Sequence, residues 1–155
     1  MRAMTTVAGI ALALMACGGK GSDQPAAQQP ATEPAAAPAA PAVAGATHEV
    51  AMDFDGKVGT FSPAELTIKS GDLVKFVVKS GPPHNVAFDP VKIPAGAAEA
   101  LGKTMTGTRG PLTGPMKVGI GESYDISFAG APAGTYEYFC TPHIAFGMKA
   151  KITVQ

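Results

Sequence analysis

The sequence predicts an all-β fold, a β-sandwich of short strands with one short helix in a long loop. Three observations carry that prediction. From His48 onward, apolar and polar residues alternate with a period of two in at least six segments, as strands with one buried face must. Turn signals separate these segments, among them Ser70-Gly71-Asp72, Gly119-Ile120-Gly121 and Ala133-Gly134. Only Ala95–Leu101 offers helix, and it has room for one or two turns.

Val50, Met52 and Phe54 share one face of the first strand, and Leu66 and Ile68 form a second, shorter set. Val74, Phe76 and Val78 form a third, with Lys75 and Lys79 turned outward. After the helix comes a Gly-, Thr- and Pro-rich loop, and the alternation then resumes in Tyr124, Ile126 and Phe128. Tyr136, Tyr138 and Cys140 repeat it, and so do Ala150, Ile152 and Val154. Six or more short strands at this spacing read as a sandwich. No internal repeat is visible.

Composition sets the boundaries within the 155 residues. Residues 48–155 are long enough for one modest domain with a small core, and a second domain does not fit. They carry ten Lys or Arg and ten Asp or Glu, interspersed along the strands. A neutral domain with no basic patch and no Trp lacks the electrostatic footprint of a nucleic-acid binder, and that class is set aside.

Residues 1–16 read as a signal peptide, with Arg2 followed by a short apolar stretch holding Ile10, Leu12 and Leu14. That stretch is too short to span a bilayer, which takes about 20 residues. Leu14-Met15-Ala16-Cys17 resembles the lipobox of bacterial lipoproteins, in which the cysteine is lipidated and becomes the mature N-terminus. Ordinary secretory cleavage near Ala16, leaving Cys17 free, is the other reading of the same residues. Both export the domain, and the first holds it by lipid at a bacterial membrane, facing the periplasm or the cell exterior. Residues 17–47 then form a disordered tether, with Pro25, Pro30, Pro34, Pro38 and Pro41 among many alanines. It is either a passive spacer or a leash that lets the domain visit more than one membrane partner. With Cys17 spent on lipid, Cys140 has no disulfide partner, and a lone thiol in an oxidising compartment asks for another role.

The chemistry lies in Cys140-Thr-Pro-His143-Ile-Ala-Phe-Gly-Met148, where a thiol, an imidazole and a thioether fall within nine residues. Cys140 ends one strand and Met148 begins the next, so one tight connection, with Pro142 and Gly147 at its turns, can point all three inward. His84, in Pro82-Pro83-His84-Asn85-Val86, follows the Val74–Val78 strand and lies where a sandwich brings a loop to the same end. Two imidazoles, a thiolate and a weak thioether are the ligands of a blue copper site. Zinc would accept the first three but gains little from Met148.

Pro83-His84-Asn85-Val86 and Cys140-Thr-Pro-His143 with Met148 resemble the plastocyanin and pseudoazurin family, and Ile93-Pro94-Ala95-Gly96 after Phe88-Asp89 is similar to plastocyanin too. The resemblance covers nearly all of residues 48–155. It implies a Greek-key cupredoxin sandwich holding one copper ion that cycles between Cu(I) and Cu(II). His84 and His143 would bind through Nδ1, Cys140 through its sulfur, and Met148 axially. It also implies that Asn85 bonds across the ligand loops and supports Cys140, with Thr141 as its partner. Pro82, Pro83, Ile144 and Phe146, around His143, would form the apolar patch on which redox partners dock. The chain departs from plastocyanin in having Phe139 where Tyr is usual before the copper cysteine, in offering no clear acidic patch, and in a longer loop over Gly102–Val118.

The expected function is therefore single-electron shuttling by a monomer between membrane-associated or periplasmic donors and acceptors such as cytochromes, an oxidase or a photosystem. An enzyme of this fold would need further copper bound by further histidines, and only His48 remains, itself expected as a solvated surface residue. Met52, Met105 and Met116 lack clustered spacing and read as packing. A copper delivery or storage protein is the alternative, but it would need an accessible, exchangeable site.

Overall fold

The computed structural model describes residues 45–155. The signal peptide, Cys17 and nearly all of the tether expected from sequence lie outside them. Among the described residues the order is β1 (Thr47–Phe54), β2 (Gly59–Ser62), β3 (Glu65–Ile68), β4 (Leu73–Val78), β5 (Ala87–Phe88), α1 (Ala97–Thr104), β6 (Ser123–Ser127), β7 (Gly134–Phe139) and β8 (Lys149–Val154). A short 3-10 turn over Ile144–Phe146 joins β7 to β8. No helix among these residues is long and apolar enough to cross a membrane.

The strands form two four-stranded sheets, ordered β2-β1-β4-β6 and β3-β8-β7-β5. Two neighbouring pairs, β1 with β4 and β3 with β8, run parallel, and the other pairs are antiparallel. Non-consecutive neighbours require the chain to cross between sheets, which closes the sandwich around one core.

The alternation explains which face goes inward. Val50, Met52, Val74, Phe76, Val78 and Ile126 come from the first sheet, with Phe128 just past the end of β6, and Ile68, Tyr136, Tyr138, Ile152 and Val154 from the second, all buried. Each such side chain contributes about 1.5–3 kcal/mol when fully buried. Aromatic edges lock the layers together, as where Tyr138 meets Phe61 at 4.8 Å and Phe76 at 5.4 Å between centroids. Met52 and Met105 are core residues, as their spacing suggested.

The helix starts two residues and ends three residues later than its sequence signal, at Ala97–Thr104 instead of Ala95–Leu101. The shift follows from Gly96, whose left-handed backbone (φ 81) starts the helix, and from Ala97 and Leu101, four apart, which bury one face. Thr104 then donates its hydroxyl to the Ser127 carbonyl at 2.7 Å and fixes the helix end to β6.

His48 is not the freely solvated residue that its position suggested. Its Nε2 lies 2.8 Å from Asp72 Oδ2, and the ring is half-buried. Asp72 also accepts the Ala46 N–H at 2.9 Å and the Lys69 N–H at 3.0 Å, so one buried carboxylate gathers three donors where the chain enters β1.

Candidate metal centre

The candidate ligands converge because two separate loops, between β4 and β5 and between β7 and β8, meet at one end of the sandwich. His84 lies between β4 and β5 and is held there by backbone bonds in both directions with Lys117, 2.9 and 2.8 Å long. Cys140 follows the last residue of β7, and Met148 precedes β8. The turn between them closes on itself, since Cys140 N–H donates to the Met148 carbonyl, His143 N–H to that of Cys140, and Met148 N–H to that of His143. Gly147 supplies the left-handed residue (φ 79) that ends the 3-10 turn and brings Met148 back into line with β8.

Cys140 Sγ lies 3.7 Å from Nδ1 of His84 and 3.7 Å from Nδ1 of His143, and the two nitrogens are 3.3 Å apart. Donors roughly 2.0–2.3 Å from one shared centre would stand about 3.3–3.8 Å apart, so these three atoms are spaced as ligands of a single ion are. His84, Cys140 and Met148 are fully buried, and His143 keeps a small exposed edge of 6%.

Protonation states fit the same reading. His84 Nε2 donates to the Ser80 carbonyl at 2.7 Å, which assigns the ring proton to Nε2 and leaves Nδ1 a lone pair facing Cys140. Burial, with a smaller contribution from neighbouring His84, holds the His143 imidazole below its ordinary range and favours its neutral form. Burial also pushes the Cys140 thiol up, against backbone N–H groups of Asn85 and His143 that favour the thiolate. A buried thiol is costly to ionise alone, and a cation between it and the two imidazoles reverses that balance.

Asn85 and Thr141 also meet. Thr141 N–H donates to Asn85 Oδ1 at 2.8 Å, and Asn85 Nδ2 donates to Thr141 Oγ1 at 3.2 Å. Of the candidate docking residues, Pro83, Ile144 and Phe146 are exposed and Pro82 is half-buried. Val58, Val118 and Ile120, which the sequence did not single out, are exposed in loops at the same end.

Three more residues escaped the sequence reading. Phe54, expected on the buried face with Val50 and Met52, stacks its ring on His143 with centroids 4.1 Å apart. Gly59 leaves the space that Met148 and His143 occupy, since a Cβ there would stand 2.7 Å from Met148 Cβ. Ser80 contributes only a carbonyl to His84, which has no sequence signature.

Comparison with known proteins agrees with this centre. The family model described as copper binding proteins, plastocyanin/azurin family, matches residues 48–155. Plastocyanin of Scenedesmus fuscus is 43% identical over 107 residues, covering 68% of this chain and 97% of that protein. Plastocyanin of Nostoc punctiforme is 37% identical over 116 residues, covering 74% of this chain and 78% of the relative. Among solved structures, oxidised plastocyanin of Dryopteris crassirhizoma superposes with a TM-score of 0.53 at 28% identity, covering 70% of this chain and all of the other. Since the family match runs from the first strand to the last residue, the chain belongs to the plastocyanin/azurin family of copper binding proteins, as a type 1 copper electron carrier with one copper ion and not an enzyme.

Proposed function

We propose that His84, Cys140, His143 and Met148 hold the copper, and that the chain works as an exported monomer passing single electrons between membrane-associated or periplasmic redox proteins. The observation that carries the ligand assignment is the convergence of Cys140 Sγ with both Nδ1 atoms in a buried pocket. When bound, copper supplies reversible exchange of one electron, Cu(I) to Cu(II).

The residues of the chain prepare for that exchange by moving little. His84 is oriented by the Ser80 carbonyl, and Asn85 ties the His84 loop to Thr141, beside Cys140. Ligands anchored on two packed sheets keep their spacing when the charge at the centre changes, and this lowers the cost of transfer. The exposed edge of His143 is the route to a partner, and Pro82, Pro83, Ile144 and Phe146 form the desolvatable surface around it. Cys17 as the lipidated residue and residues 18–44 as a tether would keep the domain at a membrane and let it swing between donor and acceptor; Thr47, expected in the tether, already belongs to β1. Cytochromes, an oxidase or a photosystem have the chemistry to serve as those partners. Copper delivery is less well supported, because three of the four donors are fully buried.

The test is a visible absorption spectrum of the copper-loaded, oxidised chain, with one-electron reduction followed in the same sample. An intense blue band that bleaches reversibly is expected. Cys140→Ser abolishes that band, and replacing Met148 mainly retunes the potential. A Cys140→Ser chain that still accepted electrons from a donor would overturn the assignment.

A further inference from the structure

Ser80 stands just past the end of β4, and both halves of it are used. Its carbonyl accepts His84 Nε2–H at 2.7 Å. Its hydroxyl donates to Asp53 Oδ1 at 2.9 Å and accepts the Phe54 N–H at 3.2 Å. The Phe54 ring is stacked on His143, with centroids 4.1 Å apart and planes 19° off parallel. One residue is therefore joined to one imidazole through its backbone and to the other through its side chain.

The surroundings hold this connection taut. Lys79 and Ser80 both donate backbone N–H groups to the Met52 carbonyl, at 2.9 and 3.4 Å, carrying the β1–β4 ladder up to the bracket. Gly81 presses on Phe54 so closely that a Cβ would run into the Phe54 carbonyl oxygen, and its backbone is left-handed (φ 57). Phe54 is thus pinned on its backbone by Ser80 and Gly81 and on its ring by His143.

We propose that Ser80 is a positioning residue that couples the two imidazoles, its carbonyl aiming His84 and its hydroxyl, oriented by Asp53, aiming the Phe54 ring that sets the plane of His143. This rests on the reading of His84 and His143 as ligands. A residue outside the donor set then controls how far the two rings can turn relative to each other, and hence the potential of the centre.

The experiment uses the full chain, both copper-free and loaded with Cu(I), and compares Ser80→Ala, Phe54→Leu, the double variant and Ser80→Thr. Imidazole 15N and 1H signals report the rings with and without copper, and voltammetry gives the potential. Ser80→Ala is expected to shift the His143 ring signals and the potential, to leave the His84 proton on Nε2, and to shift neither quantity further when Phe54 is already Leu. Ser80→Thr, which keeps the hydroxyl, restores the native values. Unmoved His143 signals in Ser80→Ala, or equal shifts in both backgrounds, would overturn the coupling. Failure of the ligand reading is separately visible, because the unsubstituted chain would then bind copper without the blue band.

Discussion

Asn85 and Thr141, on two different loops, hold each other by a reciprocal pair of hydrogen bonds of 2.8 and 3.2 Å. Asn85 is 2% exposed and Thr141 is exposed, so the pair reaches from the buried loop to the surface. Each neighbours a candidate ligand, His84 on one side and Cys140 on the other. The pair therefore closes the centre from outside the donor set, as supporting residues of metal sites do.

Asn85→Ala removes both bonds and leaves the Thr141 N–H without its partner. At about 1 kcal/mol for each bond, a loss of roughly 2 kcal/mol is expected. Denaturant unfolding of the copper-free chain measures it, and hydrogen exchange at the Thr141 amide should rise in step. An unchanged unfolding midpoint would mean that the pair closes nothing.

Much of this architecture was legible because each long strand buries one face, which writes a period of two into the sequence. β2 and β5 were not, and the reason is length. β2 places a single large apolar residue, Phe61, in the core, and β5 is two residues defined only by pairing with Phe139 and Tyr138. The candidate donor set was legible because a lone thiol, a nearby imidazole and a thioether have little shared purpose except a metal. What supports the donors was hidden for the opposite reason. A carbonyl such as that of Ser80 is present at every position, and Phe54 continues the buried alternation of β1 even though its ring turns to His143.

Gly59 is another residue whose role is spatial. A Cβ added there would stand 2.7 Å from Met148 Cβ and 3.1 Å from His143 Cβ, and both neighbours are rooted close to the backbone. Gly59→Ala must therefore displace the ligand turn. A loss of about 1–3 kcal/mol, typical of overpacking, is expected in thermal unfolding, together with a changed visible spectrum of the copper-loaded chain. A spectrum identical to that of the unsubstituted chain would refute the contact.

The Asp72 clamp predicts a pH dependence. The Lys69 N–H, then His48, hold the Asp72 carboxyl below its ordinary value of 3.8. A group whose folded pKa is depressed contributes its stability above the unfolded value and loses it as pH falls through the folded one. The clamp is thus complete near neutral pH and drains away below about pH 4. Melting temperatures of the native chain and of Asp72→Asn should differ at pH 7 and converge as the acid range is entered. A gap that stays constant down to pH 2 would sink this account.

Tyr136 and Tyr138 point into the same core from one strand, but only one hydroxyl is satisfied. Tyr136 O–H donates to the Pro132 carbonyl at 2.6 Å. The Tyr138 hydroxyl is buried without a partner among the described residues, and burial pushes its pKa well up. Leaving a polar group unpaired in an apolar interior costs about 1–3 kcal/mol, whereas losing one ordinary hydrogen bond costs about 1 kcal/mol. The two substitutions should therefore have opposite signs. Tyr138→Phe keeps the ring edges against Phe61 and Phe76 and should gain about 1 kcal/mol, while Tyr136→Phe should lose about as much. Chemical denaturation of the two variants beside the native chain decides it. A loss of stability in Tyr138→Phe would show that this hydroxyl has a partner, such as an ordered water, and that the core here is built around it.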